Sequence, residues 1–191
     1  MKINVYSQFL FDKEMKALGL NDNNVDNENA AFISIIGTKE CLEYYLDEGK
    51  TKHYFNDNHN NVLNLDFDDI GTHVDYGGHI FKTINMEQAE KAVDFIENMI
   101  NNDVASINIH CRAGYSRSRA FAEFIYRYCK EHNIEVEYDD RNDYTSFINQ
   151  GVLRKLNNAY WKKHKINGYE NGEEYDDELI NIPIIEIDPN E

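Results

Sequence analysis

Hydrophobic and polar positions alternate along the chain in a way that predicts strands and helices in turn. Short apolar or alternating runs predict strands at 3–7, 31–37, 62–70 and 104–111. Apolar residues at helical spacing predict helices at 8–19, 38–46, 85–101, 144–163 and in a segment that runs through Cys129. Polar stretches predict loops at 21–29, 47–61 and 71–83. This order predicts an α/β fold with a central, largely parallel sheet flanked by helices on both faces.

The segment from Asn85 to Asn101 gives the clearest helix signal. Its apolar residues keep helical spacing at Ala89, Ala92, Val93, Ile96, Met99 and Ile100. Asn85 precedes the run as an N-cap, and Gln88 follows three residues later as the partner of a capping box. We therefore predict that this helix begins directly after Asn85.

The length and composition of the chain suit one folded domain. It has 191 residues, of which 41% are hydrophobic and 13% aromatic, enough to fill a full core. After about residue 165 the composition becomes acidic and then apolar, with Pro183 interrupting the apolar part. We predict a single domain over 1–165, followed by an acidic C-terminal tail over 166–191 that ends in an edge strand or a docking segment.

Charge and cysteine content exclude several classes of protein. The formal net charge of -16 disfavours nucleic acid as a partner, because nucleic-acid binders need basic surface. No stretch reaches the roughly 20 apolar residues of a membrane span, and the first residues lack the features of a signal peptide. Three irregularly spaced cysteines indicate free thiols rather than a disulfide framework, and Cys41 and Cys129 are predicted to pack in the core. We expect a soluble, cytoplasmic protein with no membrane partner.

Residues 107–120, INIHCRAGYSRSRA, carry the candidate chemistry. A buried strand delivers Cys111 to the carboxyl edge of the sheet, where a tight loop and then a helix follow. Loop N–H groups and the helix N-terminus attract a dianion such as phosphate and favour the thiolate form of Cys111. Gly114 lets the loop curl, Arg117 offers a planar two-pronged donor to phosphate, and Ser118 can donate a hydroxyl hydrogen bond to the sulfur.

The sequence HCRAGYSRS resembles the H-C-x5-R-S signature of the cysteine-dependent protein tyrosine phosphatases, and most closely their dual-specificity branch. The resemblance spans about 62–130, and the asparagine-rich, proline-poor composition indicates a bacterial or phage member. It implies a hydrolase that works through a phosphocysteine intermediate and requires no metal or other cofactor.

The resemblance also implies a role for each residue of the signature. Cys111 would be the nucleophile, Arg117 the phosphate clamp and Ser118 the stabiliser of the thiolate. His110 would orient the cysteine from behind through hydrogen bonds. The substrate phosphate would be bound by Arg112, Ala113, Gly114, Tyr115, Ser116 and Arg117. Tyr115 could equally line the rim of the pocket or pack against the loop that carries the catalytic acid.

A phosphatase of this family also needs an aspartic acid, upstream of the cysteine, that protonates the leaving group. The run LDFDDI offers Asp66, Asp68 and Asp69. Alternation places Asp66 and Asp68 opposite the apolar residues, and Asp69 falls where the strand gives way to a loop. Related bacterial sequences resemble F-x-D-I, which matches Asp69. We predict Asp69 as the acid, with Asp68 as the alternative.

The signature loop contains no lysine, which favours a phosphoprotein or phosphopeptide substrate over inositol phosphates. We predict phosphotyrosine first, with phosphoserine and phosphothreonine also open. His73, Asp75 and His79 could ligate a metal by spacing, but a polar loop is the preferred interpretation. Two other classes stay open: an inactive phosphate-binding module, and a redox or sulfur-transfer enzyme. The redox class needs a second thiol near Cys111.

Overall fold

The computed structural model describes residues 1–44, 52–71, 74–76, 78–140, 148–165 and 180–182. Within these residues the strands are β1 Lys2–Ser7, β2 Ala30–Ile36, β3 Val62–Asp66, β4 Val74–Tyr76, β5 His79–Phe81, β6 Ser106–Cys111, β7 Glu137–Asp140 and β8 Ile180–Ile182. The helices are α1 Gln8–Ala17, α2 Lys39–Tyr44, α3 Met86–Asn101, α4 Arg117–Glu131 and α5 Gln150–His164.

Five of the strands form one central sheet in the order β3-β2-β6-β1-β7, and every neighbouring pair is parallel. The prediction of an α/β fold with a largely parallel sheet is therefore confirmed. Strand β6 occupies the centre, with β1 on one side and β2 on the other. The carboxyl ends of parallel strands meet at one edge, so Cys111 lies directly beside Ser7.

Alternation along the strands divides the core into two clusters. In β1, Ile3 and Val5 join a cluster with apolar residues of α3, α4 and α5, whereas Tyr6 joins a second cluster. The second cluster also contains Phe11 and Met15 of α1. Successive side chains of a strand point to opposite faces, so these clusters lie on opposite sides of the sheet. Coverage of both faces by helices across their full width stays a prediction.

A second, three-stranded sheet has the order β5-β4-β8, in which β4 and β5 are antiparallel and β8 runs parallel to β4. The prediction of a loop throughout 71–83 was wrong, because β4 and β5 form a hairpin within it. The turn uses Gly78 at a φ of 88°, and its N–H donates to Asp75 Oδ1 at 2.8 Å. Each strand has only three residues, too few for alternation to stand out. The rest of the tail, 166–179 and 183–191, lies outside the described residues.

Helix α3 begins where the sequence predicts. Asn85 Oδ1 accepts the N–H of Gln88 at 2.8 Å, and Gln88 Oε1 accepts the N–H of Asn85 at 3.1 Å. Helix α5 begins at Gln150, whereas the sequence predicts a helix from residue 144; residues 141–147 lie outside the described part of the chain. Strand β7 was not predicted. The N–H of Phe67 still donates to the Ile36 carbonyl of β2, but that of Asp68 donates to the Lys82 carbonyl, so the chain leaves the sheet directly after β3.

His59 links two aspartates that precede the second strand. Its Nδ1 lies 2.8 Å from Asp26 Oδ2 and its Nε2 lies 3.0 Å from Asp22 Oδ1. Both ring nitrogens can donate at once only in the protonated imidazolium. The hydrogen bond to Asp26 has the larger effect and that to Asp22 the smaller, and both raise the pKa of His59. The charged hydrogen bonds of His59 therefore stabilise the fold fully at pH values below the unfolded histidine pKa of about 6.5. This stabilisation is lost as pH rises through the higher pKa of the folded state.

We expect His59→Gln to lower the free energy of unfolding by about 1 kcal/mol at pH 5.5 and by clearly less at pH 9. Urea denaturation at the two pH values measures the difference, with exposed His79→Gln as the control. An equal loss at both pH values would show that His59 contributes by packing and not by charge.

Candidate active site

The cysteine loop, residues 111–117, joins the end of β6 to the start of α4. Cys111 is only 2% exposed, and its Sγ accepts the N–H of Gly114 at 3.3 Å. Ser118 Oγ lies 3.2 Å from the same sulfur. Two hydrogen-bonding groups therefore converge on Sγ, an arrangement that suits a negatively charged sulfur.

Backbone contacts hold the cysteine loop in its curled shape. The N–H of Gln8, the first residue of α1, donates to the carbonyl of Arg112 at 3.2 Å. Gly114 has a φ of 78°, a conformation that side chains with a Cβ rarely adopt. Arg119 Nε donates to the carbonyl of Gly114 at 3.4 Å and so braces the loop from α4. The expected need for glycine at position 114 is confirmed.

Arg117 lies buried beneath the loop and connects it to the end of β3. Its Nη1 donates to the carbonyl of Phe67 at 2.6 Å, and its guanidinium lies over the Phe67 ring at 5.9 Å from the ring centre. Its buried Nε makes no hydrogen bond within the described residues. Asp69 Oδ2 lies 4.0 Å from this Nε. The Nε–H group is thus available to an anion that enters beside it.

The aspartate loop, residues 67–71, follows β3 and lies against the cysteine loop. Asp69 Oδ1 accepts two hydrogen bonds, from Ser116 Oγ at 2.7 Å and from Asn149 Nδ2 at 2.9 Å. The Asp69 side chain remains 39% exposed. The structure therefore brings Asp69 into contact with the cysteine loop, although Asp69 and Ser116 are 47 positions apart in the sequence.

Asp68 occupies a different environment from Asp69. It is 1% exposed, and its carboxylate accepts the N–H and the hydroxyl of Thr38, each at 2.8 Å, and the N–H of Lys82 at 2.8 Å. Asp68 thus ties the end of β2 to the end of the β4–β5 hairpin. Asp66, the third aspartate of the run, is exposed, and its Oδ1 lies 2.8 Å from His53 Nε2.

A cavity of about 210 Å³ opens beside the cysteine loop. The charged residues that line it are Asp68, Asp69, Arg112 and Arg117. The apolar residues that line it include Ile36, Leu42, Ile70 and Phe81. An occupant with an anionic group and an apolar body would match this lining.

His110 fills the space behind the cysteine. Its ring lies 4.3 Å from the Phe11 ring, centre to centre, and is fully buried. Burial, aided by the charges of His53 and Arg117, lowers the pKa of His110 to about 3, although the nearby main chain of Cys111 opposes the shift. Neither ring nitrogen makes a well-formed hydrogen bond to a described residue. The orienting role expected for His110 stays a prediction.

The two other cysteines differ in position. Cys129 is fully buried in the core, as predicted, and burial raises its pKa. Cys41, predicted as a packing residue, is partly buried and lines the cavity. Burial and the neighbouring Asp68 carboxylate raise the pKa of Cys41 to about 12. Cys41 is therefore a protonated thiol at neutral pH and a poor nucleophile.

Some contacts of the site were not predicted from the sequence. Ser116 was predicted as a phosphate-binding residue, and the hydrogen bond from its side chain to Asp69 was not predicted. Asn149 and Thr38, which bind Asp69 and Asp68, were not singled out at all. Tyr115 is 37% exposed, and its two predicted roles stay open.

A separate chain of hydrogen bonds contains the residue types of a hydrolase triad. Ser34 Oγ lies 2.6 Å from His53 Nδ1, and His53 Nε2 lies 2.8 Å from Asp66 Oδ1. Ser34, however, is 2% exposed within the central sheet. Ser34 also lies inside β2, whereas Cys111 ends β6 at the carboxyl edge of the sheet, so this chain of hydrogen bonds fixes the segment around His53 to the sheet.

The expected metal alternative at His73, Asp75 and His79 can be followed only in part, because His73 lies outside the described residues. Asp75 Oδ1 is occupied by the turn N–H of Gly78. Ligand atoms of Asp22, Asp57 and His59 lie within 4.8 Å of one another, but both nitrogens of His59 already contact aspartate oxygens. This group is explained by its own ion pairs.

Comparison with protein-family models, with curated proteins and with solved structures found no match to this chain. Within the described residues, no helix combines the length and the apolar character needed to cross a bilayer. Inference about function therefore depends on the geometry of the site and on the signature that it contains.

Proposed function

We propose that this protein is a cysteine-dependent phosphomonoester hydrolase that acts on phosphoproteins or phosphopeptides. One observation carries the proposal: Cys111 Sγ accepts the N–H of Gly114 and contacts Ser118 Oγ inside a curled loop, and Arg117 and Asp69 lie close together beside that loop. A thiolate nucleophile, a cationic phosphate clamp and an acid are the three groups that this chemistry requires.

In the proposed first step, Cys111 Sγ attacks the phosphorus atom and the bond from phosphorus to the substrate oxygen breaks. The departing oxygen takes the proton of Asp69, so that it leaves as a neutral alcohol or phenol. The Nε–H of Arg117 and the N–H groups of the cysteine loop stabilise the negative charge of the transferring phosphoryl group.

In the second step, water attacks the phosphorus of the phosphocysteine and the sulfur departs as a thiolate. Asp69, now a carboxylate, accepts a proton from that water and is ready to act again as an acid. Ser118 Oγ, 3.2 Å from Sγ, stabilises the departing thiolate by hydrogen bonding. The free enzyme and inorganic phosphate are the result, and the proposed steps require no metal or other cofactor.

The walls of the cavity support phosphotyrosine as the first choice of substrate. The cavity that Arg112 and Arg117 line also has apolar surface, which suits an aromatic ring attached to a phosphate; this surface comes from Ile36, Leu42, Ile70 and Phe81. Phosphoserine and phosphothreonine would fill less of this surface. We therefore expect them to be hydrolysed more slowly.

A second candidate function is redox chemistry between Cys111 and a partner thiol. The observation that favours it is that Cys41 lines the same cavity as Arg112 and Ala113 of the cysteine loop, although its raised pKa makes this thiol a weak reactant. Thiol titration after mild treatment with hydrogen peroxide distinguishes the candidates: rapid loss of two thiols in the parent but not in Cys41→Ser would support redox chemistry.

The two aspartates of the loop are expected to give opposite results when replaced. Asp69→Asn removes the proton donor, so we expect kcat for para-nitrophenyl phosphate to fall about 100- to 10,000-fold, with loss of the alkaline limb of the pH profile. Asp68→Asn turns an amide N–H toward backbone donors, so we expect the free energy of unfolding to fall by about 2–3 kcal/mol. Turnover per folded molecule should change much less in the second variant.

Metal-free hydrolysis assays across pH, together with urea denaturation, measure both effects. If Asp68→Asn lost the alkaline limb and Asp69→Asn kept it, the acid would be Asp68. If neither variant changed the profile, the proposed acid step would be wrong.

A further inference from the structure

The start of helix α5 forms a platform beneath the aspartate loop. Asn149, the N-cap residue, donates from Nδ2 to Asp69 Oδ1 at 2.9 Å and to the carbonyl of Ile70 at 3.4 Å. Its Oδ1 accepts the N–H of Val152 at 3.1 Å, as an N-cap should. Its own N–H lies 3.5 Å from the carbonyl of Ser116 in the cysteine loop. One residue, through its side chain and its backbone N–H, thus joins two loops to a helix.

A second contact independently places the aspartate loop on this platform. A Cβ at Gly151, in the first turn of α5, would lie 3.0 Å from the carbonyl oxygen and 3.3 Å from the Cα of Gly71. The same Cβ would lie 3.3 Å from Asn149 Oδ1, so a side chain at 151 would push the loop and the Asn149 amide away by a few tenths of an ångström. Asn149 and Gly151 therefore fix both ends of the segment 69–71.

We infer that Asn149 is a positioning residue for the general acid, an inference that rests on the function proposed above. Asn149 and Ser116 both donate to Oδ1 of Asp69, which leaves Oδ2 as the oxygen that carries the proton. Oδ2 is also the oxygen nearest to Arg117 Nε, at 4.0 Å. The contact with Asn149 thus turns the proton-bearing oxygen toward the place where the phosphate ester would lie.

Proton donation matters more for a poor leaving group than for a good one, and this difference separates positioning from general loss of structure. Phenol is a poorer leaving group than para-nitrophenol. A variant that misplaces Asp69 should therefore lose more activity with phenyl phosphate than with para-nitrophenyl phosphate. A variant that merely unfolds part of the enzyme should lose both activities equally.

Asn149→Asp is the sharpest variant, because aspartate is also a good N-cap and keeps the acceptor for Val152. It removes the donor to Asp69 and places a second carboxylate beside it, so the pair holds a proton to higher pH. Asp68, Arg112 and Arg117, the other charged groups on this side of the cavity, are unchanged. Asn85→Asp, at the N-cap of α3, is the matched control.

We expect Asn149→Asp to raise the ratio of kcat/KM for para-nitrophenyl phosphate to that for phenyl phosphate about tenfold and to move the alkaline limb to higher pH. Gly151→Ala pushes Gly71 away without adding charge. It should raise the same ratio but shift the alkaline limb of the pH profile less than Asn149→Asp does. Asp69→Asn should raise the ratio most. Asn85→Asp should leave the ratio and the limb unchanged.

If Asp69→Asn raises the ratio but neither Asn149→Asp nor Gly151→Ala does, the positioning role of Asn149 is overturned and the proposed function stands. If the parent hydrolyses neither ester, the proposed function fails and this inference fails with it. If Asn85→Asp raises the ratio as much as Asn149→Asp, the effect belongs to helix capping in general and the inference is again overturned.

Discussion

Replacing Cys111 with serine is expected to abolish hydrolysis of para-nitrophenyl phosphate, with a loss in kcat of more than about 10,000-fold. A serine hydroxyl at this position is neither ionised at neutral pH nor a good leaving group in the second step. The hydrogen bond from Gly114 and the cationic surroundings would remain, so binding of inorganic phosphate should persist. Steady-state assays and calorimetric titration with phosphate measure the two properties.

Cys129→Ala is the matched control for this variant, because it removes another buried thiol that lies in the core. We expect it to retain kcat within about twofold, at a cost of about 1 kcal/mol in the free energy of unfolding. Residual turnover in Cys111→Ser close to that of the parent would exclude Cys111 as the nucleophile, whatever the behaviour of the control.

Replacing Arg117 with lysine should also have a large effect, with kcat/KM falling about 100- to 1,000-fold. Lysine keeps the charge but loses the planar two-pronged donor. It also loses the hydrogen bond from Nη1 to the carbonyl of Phe67, which connects the clamp to the aspartate loop. We therefore expect both a higher KM and a lower kcat, measured in the same assays.

Arg127→Lys provides the control for the change of arginine to lysine. Arg127 lies further along α4, is exposed and pairs with Glu123 at 2.6 Å, so the variant should keep kcat/KM within about twofold. If Arg117→Lys kept the activity of the parent, a single point charge would be sufficient and the two-pronged clamp would be wrong.

The central sheet could be predicted because its strands are buried. Buried parallel strands have nearly continuous apolar sequences, as at 31–37 and 104–111, and such runs need no knowledge of distant partners. Strand β7 escaped prediction because its sequence, EYDD, is acidic, and only pairing with β1 makes it a strand. The β4–β5 hairpin escaped because three-residue strands give too little alternation to detect.

The same division applies to the candidate site. Strand, loop and helix are contiguous from His110 to Ser118, so the contacts at Cys111 Sγ involve neighbours in sequence and could be predicted. The difference between Asp68 and Asp69 depends on Thr38 and Asn149, which lie 30 and 80 positions away. Local sequence patterns carry no record of such contacts, and only the fold brings these residues together.

We propose that catalysis passes through a phosphoryl group bound covalently to Cys111. The most direct test is rapid acid quenching of the parent during turnover of para-nitrophenyl phosphate, followed by mass measurement of the peptide that contains Cys111. We expect one added phosphoryl group on that peptide in the parent and none in Cys111→Ser. The phosphorylated fraction should rise when hydrolysis of the phosphocysteine is slowed. Steady turnover by the parent with no phosphorylated cysteine at any quench time would contradict it.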